Sequence, residues 1–598
     1  MTNNPNQISR FWQELKRRRV IHMITVYASA AFVIIELAGN LTEPLNLPAS
    51  LSSILIIVLA IGFPLAIILS WLYDLTGEGI RKTEPIDEVQ GKQAVKVPNA
   101  WKIATFVSFV MIIGLVILNL AVRDKLVKPG SIQSLVILPF ENFTGDDQLE
   151  YFVSGMHASL IGDMGRISGL RVIGRTSSNI FRGRDMSVPQ IASELKVDAA
   201  VEASVMCLGN DTICLKLQVI KPFPEEKQIW VADYRVNRKD LLNWYNQATR
   251  QIADQMKVQL TPEEERLLAK SRAVERDAFD AYLRSQQYWG DFSPERFHDI
   301  KDYLNNAIEK DPDWAPLYLA RANYWMWLVQ WGLEQPSVAL PIASKNLSQA
   351  LELDPDLPGA HHLVGWIAFV SEWDWTKAER EFLKALAINP NDAESRIYYA
   401  HLLCVLDRQD EAIPQARLAL ELDPLNPLIQ ILYSTTQLFI DWCEADQTQI
   451  EKLLADDPNN YGANVVLNYL SSYCGDYETA IRTEKRMLQT ILGEQFEDDT
   501  WKQIERIFIE KGYRAAYEKI VSIYEELYSP ESLPMELAIV YAKANRYDKV
   551  MDMVEQGYKI RDHTIPYLTT AYDFEPLYDN PRFIKILKKL NLPLPPHD

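Results

Sequence analysis

Hydroxyl and imidazole groups set close together are the raw material of nucleophilic catalysis, and this chain offers one such cluster in Thr176, Ser177 and Ser178. A serine nucleophile needs an imidazole base and, in many hydrolases, a strained GxSxG elbow that presents it. No GxSxG surrounds these residues, and the nearest histidine, His157, falls on an expected helix. No glycine-rich phosphate loop follows a strand here either. A turn or helix-cap role therefore suits the three hydroxyls better. His361, His362 and His401 form a second set. Metal binding would require their rings to converge; as neighbours on the first helices of a repeat they are expected as partly exposed groove residues instead. Five cysteines in 598 residues exclude a disulfide scaffold, make no CxxC and match no zinc spacing. No catalytic set, metal or cofactor is expected, and the chain is read as a non-enzyme.

What positions these residues is a repeat. The phrase IEKDP ends at Pro312, LELDP at Pro355, LAINP at Pro390, LELDP at Pro424 and LADDP at Pro458, with spacings of 43, 35, 34 and 34 residues. A period of 34 marks tetratricopeptide (TPR) helix pairs. Five residues before the first four prolines stand Ala307, Ala350, Ala385 and Ala419; twelve before stand Ala343, Ala378, Ala412 and, in the repeat beyond Pro458, Ala480, with Asp446 breaking the series. Ala322, Gly365, Ala400 and Ser434 mark the middles of the first helices. Small residues there let paired helices approach. Each proline cannot continue its helix, so it opens the next after a tight turn, and the Asp or Asn before it suits the break.

The charge is uneven. The chain carries a net −19, which argues against a nucleic-acid partner, since phosphate binding needs a basic face. Residues 1–128 hold 13 basic and 9 acidic side chains, the remainder a net −23. Three apolar runs, residues 21–41, 51–73 and 102–122, each reach about 20 residues, the length that crosses a hydrocarbon core. Lys16, Arg17, Arg18 and Arg19 precede the first run, residues 42–50 have neither Lys nor Arg, and Arg81, Lys82, Lys92, Lys96 and Lys102 follow the second. The positive-inside rule then makes 1–20 a cytoplasmic basic segment, 21–128 three transmembrane helices with a cytoplasmic loop at 74–101, and the rest external. Glu36 inside the first run is expected at its outer boundary or bonded to a neighbouring helix.

Residues 131–262 alternate strand and helix signals, the pattern of a layered α/β domain. SLVILPF from Ser134 is a buried-strand run; residues 148–166 carry Leu149, Phe152, Met156, Leu160 and Met164 on one helical face; two long strands flank a turn near Gly209. With Asn210-Asp211 as a two-residue turn, Cys207 faces Cys214 across the hairpin, close enough for a disulfide. An oxidising compartment would permit that bond, and a reducing one would leave two free thiols.

At these residues a resemblance appears. The runs SLVILPFENFTGDDQLEYFVSGM, LRVIGRTSSNIFRG, IASELKVDAAVEASV, QIWVADYRV and QLTPEE resemble the TolB-like N-terminal domain found ahead of TPR arrays in many bacterial proteins. FWQELKRRRV, GFPLAIILSWLYDLT and FEPLYDNPRFIKILKKLNLP resemble that family's membrane-anchored branch. Ala203 departs from the family's VEGSV run, where Gly is expected. Some relatives carry a cyclase, kinase or winged-helix domain first. Only about 130 residues precede the α/β module here, mostly apolar runs, so the resemblance implies none of those activities.

The expected fold class is multi-domain: N-terminal transmembrane helices, a small TolB-like α/β domain, then an all-α TPR solenoid. After the α/β domain, residues 263–280 form a linking helix, 281–490 the TPR array, and 491–598 degenerate helical repeats and a C-terminal cap. TPR positions that line the concave groove fall on His362, Trp366 and Phe369 in one repeat and on Glu394, Ile397 and His401 in the next. This apolar-aromatic groove suits a helix or extended segment of another protein. The sequence thus predicts an inner-membrane, multi-pass protein with its body in the periplasm, bound to the lipid bilayer, that scaffolds envelope proteins. A ligand-binding envelope sensor and an enzyme with an unrecognised site stay open as alternatives.

Overall fold

The computed structural model describes residues 132–598 except 210–211, 271, 288–293, 331–332, 441–442, 444, 532 and 595–598, together with residues 27, 31, 59, 62–64, 73–76 and 79–82. The chain divides into two compact units, Met1–Gly130 and Ser131–Asp598.

The N-terminal unit corrects the expected fold class. Among the described residues no helix is long and apolar enough to cross a membrane. Three transmembrane helices are therefore not supported, nor is the multi-pass inner-membrane, periplasmic placement built on them. The three apolar runs lie almost wholly outside the described residues. Where the second run ends, strand β1 (Tyr73–Thr76) begins and pairs antiparallel with β2 (Gly79–Lys82). Apolar length alone does not distinguish a membrane helix from a run that packs locally. Here the Tyr27 hydroxyl donates to the Leu59 carbonyl at 2.8 Å, and its ring meets Phe63 at 5.6 Å.

The second unit opens with a sheet in the order β5-β3-β6-β7-β8. Its strands are β3 (Ser134–Ile137), β4 (Glu141–Asn142, paired with β6), β5 (Arg171–Val172), β6 (Ala199–Leu208), β7 (Thr212–Lys221) and β8 (Lys227–Asn237). β3 runs parallel to β5 and β6, while β6, β7 and β8 form an antiparallel meander. Side chains alternate across β3 as the pleat demands. Leu135 and Ile137 enter the larger core, under α1 (Glu150–Met164) and α4 (Leu241–Gln255). Val136 and Leu138 enter a smaller one, under α3 (Val188–Leu195). The short helix α2 (Arg175–Asn179) carries the serine cluster.

Helix α5 (Pro262–Ala269) starts on a capping box, Thr261 with Glu264, and links to the array. Helix hairpins follow: α6 (Arg276–Gln287) with α7 (Pro294–Lys310), α8 (Ala315–Gln330) with α9 (Pro336–Leu353), α10 (Pro358–Ile367) with α11 (Trp375–Ile388), and α12 (Ala393–Val405) with α13 (Gln409–Leu422). Beyond them come α14 (Pro427–Ile440) with α15 (Thr448–Asp456), α16 (Tyr461–Tyr473) with α17 (Tyr477–Leu492), α18 (Asp498–Lys511) with α19 (Tyr513–Leu527), and α20 (Pro534–Lys543) with α21 (Tyr547–Ile560). Helix α22 (Pro581–Leu590) ends the fold. The body is a mostly helical, TPR-like solenoid.

The small residues sit where helices meet. Ala307, Ala322, Ala343, Ala350, Ala378, Ala385, Ala400, Ala412, Ala419 and Ala480 are all fully buried. Gly155 on α1 does the same for the junction with the α/β domain: a Cβ there would stand 2.5 Å from Leu283 on α6. The 35-residue spacing carries one residue more than its 34-residue neighbours, and its first helix ends in a π-helical turn, Ala368–Glu372. Such a turn is how a helix absorbs one inserted residue. In the 43-residue repeat the extra length goes into longer helices, α8 and α9, as well as the connection between them.

Candidate functional site

Helix α10, the π-helical turn Ala368–Glu372 that follows it, and α12 carry the six groove candidates, and the structure divides them. His362, Trp366 and Glu394 keep access to solvent. Phe369 and Ile397 are fully buried, and His401 is buried to 1%. The accessible set gathers around a residue the repeat positions passed over, Tyr398. Its ring lies 5.9 Å from His362 and 6.4 Å from Trp366, one turn along α12 from Glu394. The i, i+4 spacing of His362 and Trp366, and of Glu394 and Tyr398, puts each pair on one face.

What covers Phe369 and His401 is the chain's own C-terminal part. The 3-10 turn Ile565–Thr569 folds back, and the Tyr567 ring stands 5.6 Å from Phe369, 5.8 Å from His401 and 5.6 Å from Phe439. Further contacts fix this return. Arg561 donates to the Ser371 carbonyl at 2.7 Å, Trp375 Nε1 to the Leu590 carbonyl at 2.7 Å, and Trp373 stacks on Tyr558 at 5.1 Å. The concave face is thus closed over Phe369 and His401 and open over His362, Trp366, Glu394 and Tyr398.

Each histidine has its own partners. His361 turns inward to Glu381 (2.7 Å) and the Pro355 carbonyl (2.9 Å). His362 Nδ1 lies 3.0 Å from Ser395 Oγ. His401 Nε2 faces the Leu432 carbonyl at 2.9 Å, so it carries the proton, and Nδ1 accepts from the Tyr567 hydroxyl at 3.2 Å. Burial holds the His401 imidazole down at about 4 and lowers that of His362, against the pull of Asp392. Among the described residues no His/Cys/Asp/Glu group converges as a metal site would require. Glu394 is the titratable feature of the open stretch. Protein walls around it, with Asp392 and Asp423 nearby, push its carboxyl up to about 7 although solvent reaches it.

The serine cluster has a structural task. Ser177 donates its backbone N–H (2.8 Å) and hydroxyl (2.5 Å) to Asp423, and Leu425 N–H donates to Ser177 Oγ at 2.8 Å. Ser178 Oγ does lie 3.2 Å from His157 Nε2, but both reach the Ile137 carbonyl and both are fully buried. With Nε2 donating to that carbonyl, the imidazole offers no lone pair there to a serine proton. Burial holds it at about 4.

Asp423 belongs to a series. The turns between repeats face the α/β domain and its linker one after another. Asp311 takes Arg272 (2.7 Å) and the Glu275 N–H (3.1 Å). Asp354 takes Lys270 at 2.7 Å, and Asp356 takes Arg266 at 2.8 Å. Asn391 accepts from Val172 N–H at 2.9 Å and donates to the Gly165 and Ile167 carbonyls at 2.9 and 3.2 Å. At Asp423 the approach is closest: Gly174 N–H donates to the Leu422 carbonyl at 2.7 Å, and a Cβ on Gly174 would stand 2.5 Å from the Asp423 carboxyl carbon. Leu425 packs against the sheet's smaller core. Burial raises the Asp423 carboxyl, and its bonds from Ser177 and Asn426 oppose that. The signal in the sequence was the Asp or Asn before the proline at Asp311, Asp354 and Asp423; Asp356 and Asn391 follow their prolines, and nothing local named any of the partners.

Cys207 and Cys214 stand opposite each other on β6 and β7, with sulfurs bonded at 2.10 Å. A second bridge, Cys443–Cys474, joins the end of α14 to the end of α16, and Cys404 is free and buried.

No family model matches the chain. A Rhizobium meliloti (strain 1021) protein named as an adenylate cyclase is 27% identical over 233 residues, 39% of this chain and 39% of that protein. The chain therefore matches well under half the length of that relative. Among solved structures, Pseudomonas aeruginosa PilF aligns over 36% of this chain and 91% of its own, at 15% identity and a TM-score of 0.28. YrrB, a TPR protein described as having an unusual peptide-binding site, aligns over 31% and 91%, at 19% identity and a TM-score of 0.23. Likenesses of this depth carry no argument, and the repeat architecture rests on this chain's own helix pairs and period.

Proposed function

We propose that this chain is a non-catalytic scaffold that binds a polypeptide segment along the open stretch of its concave face, at His362, Trp366, Glu394 and Tyr398. The observation that carries the reading is the ring cluster: the Tyr398 ring lies 5.9 Å from the His362 imidazole and 6.4 Å from Trp366, beside a solvent-reached carboxyl. Aromatic anchors of this kind dominate binding energy at interfaces, and helical arrays present their first helices to partners. Phe369, Ile397 and His401 act from beneath, as the floor that holds the anchors in place. The α/β domain, read as TolB-like on the runs quoted above, serves as a rigid support docked along the turns. A nucleophilic reading of Ser178 and His157 finds no access for a substrate.

The test is site-specific photo-crosslinking from position 366 or 398 of the full chain in cells, followed by titration of the captured segment against purified protein. Trp366→Ala and Tyr398→Ala are expected to weaken that segment's binding at least tenfold, while Ile509→Ala, at an exposed site elsewhere, leaves it unchanged. A captured segment that binds both groove variants as well as the parent would overturn the reading.

A further inference from the structure

Helices α7, α8 and α9 border an open cleft of about 470 Å³. That volume lies within the range of small-molecule sites, roughly 300–1,000 Å³. Each helix contributes through i, i+4 pairs: Lys301 and Asn305 from α7, Arg321 and Trp325 from α8, Ile342 and Asn346 from α9, with Lys345 beside them. The lining holds three cations and no carboxylate, in a chain of net charge −19.

Arg321 is placed, its guanidinium lying over the Tyr318 ring at 5.5 Å, while Lys301 and Lys345 are exposed. Arg321 Nε donates to Asn346 Oδ1 at 2.6 Å, and Asn346 Nδ2 is tied to the Ile342 carbonyl at 2.7 Å, so the guanidinium is oriented by a buried amide. Among the described residues Lys301, Arg321 and Lys345 meet no carboxylate within ion-pair distance. Asp302 and Glu334 act on the Tyr324 hydroxyl at the cleft wall and do not line the space. Trp325, in edge contact with the buried Tyr324 ring at 5.7 Å, supplies an aromatic wall. A half-buried guanidinium without a counter-charge is costly to keep. A fork of free N–H donors beside an aromatic face matches a planar or phosphoryl anion attached to a ring.

We propose that this cleft binds a small organic anion that carries an aromatic ring, its anionic group held by Arg321, Lys301 and Lys345 and its ring against Trp325. A carboxylate and a phosphate present the same chemistry to these groups. The site is distinct from the face with His362 and Trp366 and does not rest on the scaffold reading.

The experiment is calorimetric titration of the full chain with adenosine 5′-monophosphate and with indole-3-carboxylate, and with adenosine and indole as their neutral counterparts. Saturable binding of one anion, at least tenfold tighter than its neutral counterpart, is expected, and which anion binds decides between phosphate and carboxylate. Loss of a hydrogen bond to a charged group should weaken it about tenfold in Arg321→Gln and severalfold in Lys345→Gln. Lys345 is exposed and makes no hydrogen bond to the fold, so Lys345→Gln carries the test even if Arg321→Gln unfolds. No saturable binding of either anion, or binding that is unchanged in Lys345→Gln, overturns the proposal.

Discussion

Asp423 and Asp457 close two copies of nearly the same phrase, LELDP and LADDP, and have opposite surroundings. Asp423 is 5% exposed and takes donors from Ser177 and Asn426, tying α13 to the α/β domain. Asp457 is exposed and, among the described residues, its side chain accepts only the N–H of Asn459, two residues on. A helix-breaking phrase therefore does two jobs. Everywhere it turns the chain; along the first four repeats the turn it makes also presents a polar side chain, first to the linker at Asp311 and Asp354 and then to the α/β domain at Asn391 and Asp423. Where docking stops, a covalent tie takes over: the repeat around Asp457 is bridged by Cys443–Cys474.

That contrast can be broken at both ends. Asp423→Ala removes a buried acceptor and strands the Ser177 donors, and should cost about 4 kcal/mol in urea unfolding. Replacing Cys443 and Cys474 together by serine frees a loop spanning 31 residues in the unfolded chain and should cost about 3 kcal/mol. Glu536 sharpens the comparison as a carboxyl that burial, with Asp562 and Glu484 nearby, holds up at about 7. Because the folded value stands above the ordinary one, the stability it contributes is complete below that ordinary value and is lost as pH rises through 7. Glu536→Gln should therefore gain about 2 kcal/mol at a pH of about 8 and nothing at a pH of about 4, a difference that thermal melts across pH will show. Asn391→Ala should cost about 1.5 kcal/mol, since it leaves Val172 N–H and two carbonyls without their partner. Asp457→Ala should cost no more than about 0.5 kcal/mol, because the surface turn keeps its proline and water replaces the lost bond.

The repeat was legible because it is local. A proline after Asp or Asn, and alanines five and twelve residues before it, fix a helix pair without reference to anything distant. The α/β strands were legible for the same reason, through the unbroken apolar run that opens at Ser134 and is buried throughout Ser134–Ile137. Docking was not. Ser177 and Asp423 are 246 residues apart, and the turn chemistry of Asp423 is complete without any partner. The groove positions show the same limit. Counting along α10 and α12 names the residues on the concave side. It cannot show that Tyr567, 166 residues beyond His401, returns to cover Phe369 and His401. The N-terminal runs failed differently: apolar length suggested membrane helices, and the described residues hold none of that length. Cys443 and Cys474 sit at two helix ends with the helices α15 and α16 between them, so no hairpin register announces the pair.

The claim that most needs testing is that the turns weld the α/β domain and the array into one body. Amide hydrogen exchange on the parent and on Asp423→Ala tests it directly. Gly174 and Ser177 donate their N–H groups to Leu422 and Asp423. The account predicts that both amides are strongly protected in the parent and lose protection in the variant together with residues 422–426, while residues around Asn459 exchange as before. Protection at Gly174 and Ser177 that is already weak in the parent, or unchanged in the variant, would contradict it.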